Sequence, residues 1–257
     1  MAFKIIICIL AGLGAGLGTG LAGLSAASVI SPMLIICLDV PAYQAITIAL
    51  ASDVLASAAS AYTYGKSKNI DIKHGLVMLG IIMIFTIIGS ILSSNVKNTV
   101  MGGFSVVMTT FMGIKFILRP VMTTKSQMEG KNERVRMIQS VVCGVIIGLI
   151  CGFVGAGGGM MMLMILTSVL GYELKTAIGT SVFNMTFTAL VGAVSHIVIG
   201  GMPDLLLLSV CIVSTLIFAR IAARFANVVS TKKLNRSLGI VLFVLGVAMI
   251  IVKYVIK

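Results

Sequence analysis

The stretch Gly12-Leu-Gly-Ala-Gly16-Leu-Gly-Thr-Gly20-Leu-Ala-Gly23 decides how this chain is read, because Gly12, Gly16, Gly20 and Gly23 return as Gly144, Gly148, Gly152 and Gly155, each displaced by 132 positions. The same shift pairs Leu17 with Leu149, Leu34 with Leu166, Ala45 with Ala177, Ile46 with Ile178 and Ala61 with Ala193, so one unit is written twice over nearly the whole chain. A period this long is not that of a solenoid, whose repeats run to 20–50 residues. Two hydropathic halves in one chain are the usual sign of a membrane carrier.

Composition points the same way. Hydrophobic residues make up 59% of the 257 positions and charged residues 10%, with a mean hydropathy of +1.16. That is too apolar for a soluble core inside a polar shell and describes a polytopic membrane protein. The net charge of +12 would suggest nucleic acid in a soluble protein. Here Lys and Arg sit mainly in short loops, where they orient spans, and no nucleic-acid partner is implied. Cys8, Cys37, Cys143, Cys151 and Cys211 lie in apolar stretches without Cys-x-x-Cys spacing, which reads as reduced packing residues and implies neither a metal nor a cofactor. The opening MAFKIIICILAGLGAG has the look of a signal peptide. Its internal copy begins near Gln139, so the segment is read as a retained span.

Apolar stretches run over about residues 5–38, 43–64, 75–94, 98–118, 137–170, 176–199, 205–223 and 236–256. A span needs roughly 20 residues. Residues 5–38 and 137–170, at about 34 residues each, would measure about 50 Å as single helices, well beyond a hydrocarbon core of about 30 Å. Each is therefore expected to break, at GLAGLSAAS (20–28) and GFVGAGGG (152–159), where glycine and small polar residues cost helix propensity and permit tight turns. The expected fold is all-α and polytopic: two repeats of inverted topology, each a broken helical hairpin plus three transmembrane helices. Residues 1–118 form the first repeat, 119–136 a basic linker and 137–257 the second repeat.

Loop charge argues the inversion. Lys66, Lys68 and Lys73 follow the second stretch, whereas the corresponding loop at 200–204 has no Lys or Arg. Conversely, 95–98 has only Lys97, and its counterpart has Arg224, Lys232, Lys233 and Arg236. Corresponding loops with opposite bias place the halves in opposite orientations. The linker, with Arg119, Lys125, Lys131, Arg134 and Arg136, is then cytoplasmic and both termini outside, provided each broken stretch returns to the side it entered. Lys4, Lys253 and Lys257 lie outside, a mild violation.

The chemistry is expected at the breaks. Gly157, Gly158 and Gly159 lead into a short helix whose first turn offers unpaired N–H groups and the positive dipole end, an anion site by construction. The aligned positions of the first half, Ser25, Ala26 and Ala27, are followed by Ser28 and add hydroxyl donors. The alternative is that such glycines only let helices approach, which is the preferred reading for Gly12, Gly16 and Gly20. After each hairpin, Ala45, Ala49, Ser52 and Ala56 line one helix face, and their mates are Ala177, Ser181, Asn184 and Thr188. This stripe, with Thr180 beside it, faces either protein or a water-filled path.

With Gly152-Phe-Val-Gly-Ala-Gly-Gly-Gly159 followed one span later by Ala177-Ile-Gly-Thr-Ser181, the chain resembles the TauE/SafE (TSUP) family of sulfite and organosulfonate exporters over essentially its full length. The first half departs from the family pattern, with Gly-Leu-Ser-Ala-Ala-Ser (23–28) where a second glycine triplet often stands and residues 47–49 in place of Gly-Thr-Ser. The resemblance implies a secondary transporter in the cell membrane that moves a small sulfur-containing anion, such as sulfite or a sulfonate. Alternating access would come from rocking one repeat against the other. The substrate-binding candidates are Ser25, Ala26, Ala27, Ser28, Ser52, Gly157, Gly158, Gly159, Thr180, Ser181 and Asn184.

Asp53 is the one carboxylate well inside a span and is the candidate for a coupling proton or Na+, the alternative being a Ser-paired structural acid. Arg220 and Arg224 read as snorkelling to the interface. His196 reads as interfacial, and Met160 to Met162 as adaptable packing. The glycine ridges suit packing within a monomer or between subunits of a homo-oligomer. Rival functions are a passive channel for small anions or neutral solutes and, less readily, a membrane enzyme or maturation partner using Cys151.

Overall fold

A computed structural model describes residues 2–93, 132–154 and 158–254, with isolated positions at 114, 117, 118 and 124. Most of the stretch 98–118, most of the linker 119–136, the Lys97 loop and Gly157 lie outside the described residues. Among the described residues the fold is all-helical: α1 (Ala2–Ala22), α2 (Ala27–Leu38), α3 (Ala42–Lys66), α4 (Ile72–Ser93), α5 (Glu133–Val154), α6 (Gly158–Ser168), α7 (Leu174–Gly200), α8 (Leu205–Val228) and α9 (Thr231–Tyr254). Segments Ala2–Ala22, Gln44–Lys66, Leu174–Val198 and Leu205–Val228 are long and apolar enough to cross a membrane.

The first long apolar stretch breaks where glycine and small residues predict it; of the break expected in the second, Gly155 to Gly157 lie outside the described residues. α1 stops at Gly23, whose φ of +62° lies in the left-handed region that glycine enters without a Cβ penalty. The amides of Gly23 and Leu24 turn back to the carbonyls of Thr19 (2.9 Å) and Gly18 (3.2 Å). α2 begins three residues after Leu24, at Ala27. In the second half α5 ends at Val154 and α6 starts at Gly158.

Each broken stretch returns to the end from which it came. The Tyr64 hydroxyl, near the end of α3, donates to Gly20 O (2.9 Å) near the end of α1, so α1 and α3 run the same way. Ser25, before α2, meets Asp53 in the middle of α3, and α2 then runs back beside α3 until Asp39–Pro41 leads into that helix. In the second half, Glu133 at the start of α5 pairs with Lys73. Tyr172, just past α6, donates to Asp71 Oδ2 (2.7 Å), so both ends of that hairpin lie beside the α3–α4 loop.

The glycine ridges are used for close approach within the chain. A Cβ on Gly16 would lie 2.7 Å from Thr215 O and from Phe218 Cβ, and Gly12 and Gly20 press on Ser214 and on Ala219 to Ala223 of α8. Gly144 and Gly148 do the same against Met78 to Phe85 of α4, with Gly148 2.8 Å from Ile82 O on the same construction. The residue numbers rise together along both seams, so α1 lies parallel to α8, and α5 to α4. The first helix of each half therefore packs on the fourth helix of the other. α3 and α7, related by the 132-residue shift, run antiparallel, with Leu50 at Gly192 and Tyr64 at Gly179.

Two apolar clusters fill the ends of this bundle. One gathers Leu21, Tyr64, Met78, Ile147, Leu166, Tyr172, Ile178 and Leu234, and the other Cys8, Ala11, Leu34, Ala45, Ala193 and Cys211. The first cluster lies beneath a basic end, where Lys66, Lys68, Lys73, Arg134, Lys175, Arg224, Lys232, Lys233 and Arg236 occur in loops or terminal turns. Asn227 ties that end together, accepting from Asn69 Nδ2 (2.7 Å) at its side chain and from Lys175 Nζ (2.8 Å) at its carbonyl.

Candidate functional site

The two helix breaks meet inside the bundle. Ser181 Oγ, in the second turn of α7, donates to Gly23 O (3.0 Å) and lies 3.4 Å from Gly159 O. A Cβ on Gly159 would come within 2.7 Å of both Gly23 O and Ser25 N and would also run into Met185. Glycine at 159 is thus what lets the start of α6 rest on the turn between α1 and α2. Ser25, Gly159 and Ser181, from three separate segments, are brought together here; Gly158 opens α6 beside them.

The start of α2 is not bare. Ser25 Oγ donates to Asp53 Oδ2 (2.8 Å), and the Ala26 backbone amide hydrogen-bonds to the same carboxylate. Ala27 N donates to Ser25 Oγ (3.3 Å), and Ser28 Oγ donates to Ser25 O (2.6 Å). Asp53 is 1% exposed, and its Oδ1 has no hydrogen-bond partner. A carboxylate at a helix start is favoured by the dipole and the free amides, and the chain places an acid of its own, Asp53, at the start of α2. By the 132-residue shift the mate of Asp53 is Met185, and Met185 is the side chain beside Gly159. The two helix starts are equivalent in place and opposite in character.

The other candidates take up different roles. Ser52 is fully buried and its hydroxyl donates to Ile48 O within its own helix (2.7 Å). Asn184 Nδ2 points at Met162 Sδ (3.7 Å), whereas its Oδ1 has no partner and faces Gly75 of α4. Thr188 Oγ1 donates to Asn184 O (3.2 Å). Ala45, Ala49, Ser52, Ala56, Ala177, Ser181 and Asn184 are all buried, so the small-residue stripes face protein. Arg220 and Arg224 are exposed and His196 half-buried.

Thr180 leads to a cluster that sequence reasoning missed. Its Oγ1 accepts from Asp71 N (3.0 Å), and the Asp71 carboxylate takes the Tyr172 hydroxyl and lies 2.9 Å from His74 Nδ1. Burial pushes the Asp71 carboxyl up, but hydrogen bonds from Tyr172 and from the ring and backbone of His74, with the His74 charge, outweigh it and leave the group below its ordinary value. Asp71-x-x-His74 was visible as an i, i+3 pair, but nothing local announced Tyr172. Among the described residues no group of three or more His, Cys, Asp or Glu is placed to hold a metal ion.

Residues 8–249 match the sequence model of the family described as Sulfite exporter TauE/SafE. The chain is also similar to the probable membrane transporter protein YdhB of Bacillus subtilis, 22% identical over 82% of this chain and 86% of the relative. A probable membrane transporter protein of Haemophilus influenzae is 28% identical over 76% and 75%. YunE of Bacillus subtilis, again a probable membrane transporter protein, is 24% identical over 95% of this chain and 97% of its own length.

Proposed function

The chain belongs to the sulfite exporter TauE/SafE family and is a multi-pass membrane transporter, and from that premise we propose that it is a secondary carrier of a small sulfur-containing anion, sulfite or a sulfonate. The observation that carries this reading is the meeting of two helix breaks at Ser25, Gly159 and Ser181, deep between the two apolar ends. Broken helices that aim their starts at one interior point supply N–H donors to an anion where hydrocarbon supplies none. Gly158 and Gly159 at α6, Ser25 to Ser28 at α2, and Ser181 are the proposed contacts, with Asn184 Oδ1 and Ser52 farther along the stripes.

Alternating access of inverted repeats is supported by the opposite directions of α3 and α7 and by the reciprocal packing of α1 on α8 and α5 on α4. The basic end faces the cytoplasm in this reading, which follows the positive-inside bias. The experiment is uptake and efflux of sulfite, taurine and sulfoacetate in proteoliposomes, with Gly158→Leu as the variant that blocks the start of α6. Saturable flux lost in Gly158→Leu is the expected result. Flux of every solute without saturation, equal in the variant, would make the protein a passive channel.

A further inference from the structure

We propose that ionised Asp53 and the transported anion compete for the start of α2, so that an anion binding there brings a proton onto Asp53. This rests on the anion carriage proposed above and adds its coupling ion. The partners of the Asp53 carboxylate are Ser25 Oγ and the Ala26 amide, the donors that an incoming anion would need, and Oδ1 has none. No ion pair reaches it among the described residues.

The ionisable groups on the helices packed around α3 lie elsewhere. They are Lys4 and Cys8 on α1, Cys37 on α2, Lys175 and His196 on α7, and Cys211, Arg220 and Arg224 on α8. Arg220 and Arg224 are exposed, and Lys175 is engaged with Asn227. Cys8 and Cys211 hydrogen-bond to one another. The negative charge at Asp53 therefore rests on one hydroxyl and one helix start.

A second negative charge at the same donors would leave two anions in an apolar interior with no cation between them, an arrangement too costly to populate. Protonation of Asp53 removes the conflict: the neutral acid yields Ser25 Oγ and the Ala26 amide to the anion. When the anion departs, Asp53 loses the proton and takes the donors back. A Na+ ion fits less well, because Asp53 and Ser25 supply few oxygens and the positive end of the α2 dipole repels a cation. At the other break Met185 stands in place of the acid, so the linkage belongs to the first half alone.

The test is calorimetric titration of the full-length protein in detergent with methanesulfonate, whose charge is fixed across the range, and with sulfate and sulfite. Buffers of different ionisation enthalpy report the protons taken up per anion bound. The expected result is uptake of about one proton, and affinity that falls about tenfold per pH unit once Asp53 ionises in the free protein. With methanesulfonate and sulfate, on which the proton count is read because sulfite itself takes up a proton near neutrality, Asp53→Asn should bind without proton uptake and with a flat pH profile. Ser25→Ala, which keeps the acid, should bind more weakly and retain the slope. Anion binding by the wild type without proton uptake, uptake retained in Asp53→Asn, or affinity that follows Na+ at fixed pH would each overturn the proposal. Failure of the folded wild type to bind any of the three anions would overturn the carriage itself.

Discussion

Asp71 and Gly159 each hold two segments together, one by charge and the other by the lack of a side chain. The Asp71 carboxyl is held below its ordinary value because Tyr172 and His74 bond its charged form. Since the folded value lies below the unfolded one, near 3.8, the carboxylate adds stability above that pH and loses it as pH falls through the folded value. Thermal melts of the wild type and Asp71→Asn should therefore differ most near neutrality and converge below about pH 4, with the variant the less stable wherever they differ. At Gly159 even one methyl group would strike Gly23 O, Ser25 N and Met185. Gly159→Ala should lose about 1–3 kcal/mol, as overpacked sites do, and transport should fall with it; denaturant-dependent unfolding and flux measure the two effects separately.

Among the elements, the breaks were legible because glycine-rich stretches in apolar runs too long for the bilayer leave the chain little choice. That each hairpin returns to the end from which it came was only a condition of the loop-charge reading, and it is the contacts of Tyr64, Lys73 and Tyr172 that show it. What was not legible arises from contacts across distant parts of the chain. Ser25 and Asp53 are 28 positions apart, and Tyr172 and Asp71 are 101 apart, and no periodicity encodes such pairs. The sequence could name Asp53 as an intramembrane acid, but only the fold shows it seated at the start of α2. The glycine ridges carried two readings, within or between subunits, and α4 and α8 use them within the chain. Gly148→Leu should accordingly disrupt the α4–α5 seam and lower the melting temperature by several degrees. Gly80→Leu, on the exposed face of α4 with nothing within 4 Å of the added Cβ, should leave it nearly unchanged.

At the scale of the whole molecule, orientation is the first thing to establish. Ser67 is exposed at the basic end, and Met202 is 64% exposed in the acidic loop before α8. With the native cysteines replaced by alanine, Ser67→Cys in intact cells should react with an impermeant maleimide only after lysis, and Met202→Cys before it. The reverse pattern would turn the molecule over and put the basic end outside. The seams bear on the alternating access proposed above. Because Gly12 to Gly20 and Gly144 to Gly148 bring backbones of opposite halves into contact, a motion that keeps this packing carries α1 with α8 and α5 with α4, rather than one whole repeat against the other as the sequence suggested.

That crosswise pairing sets the order in which the protein can be made. α1 leaves the ribosome with its glycine ridge complete, but the helix that covers it begins at Leu205. At 5–20 residues per second the ridge waits on the order of 10–40 s for its partner. During that interval the first half is an open structure in lipid, and its closure awaits α8, which follows all of α2 to α7 in the chain. A truncation after α7 would thus remove far more than one helix, and two halves expressed as separate chains should accumulate only when both are present in the same membrane.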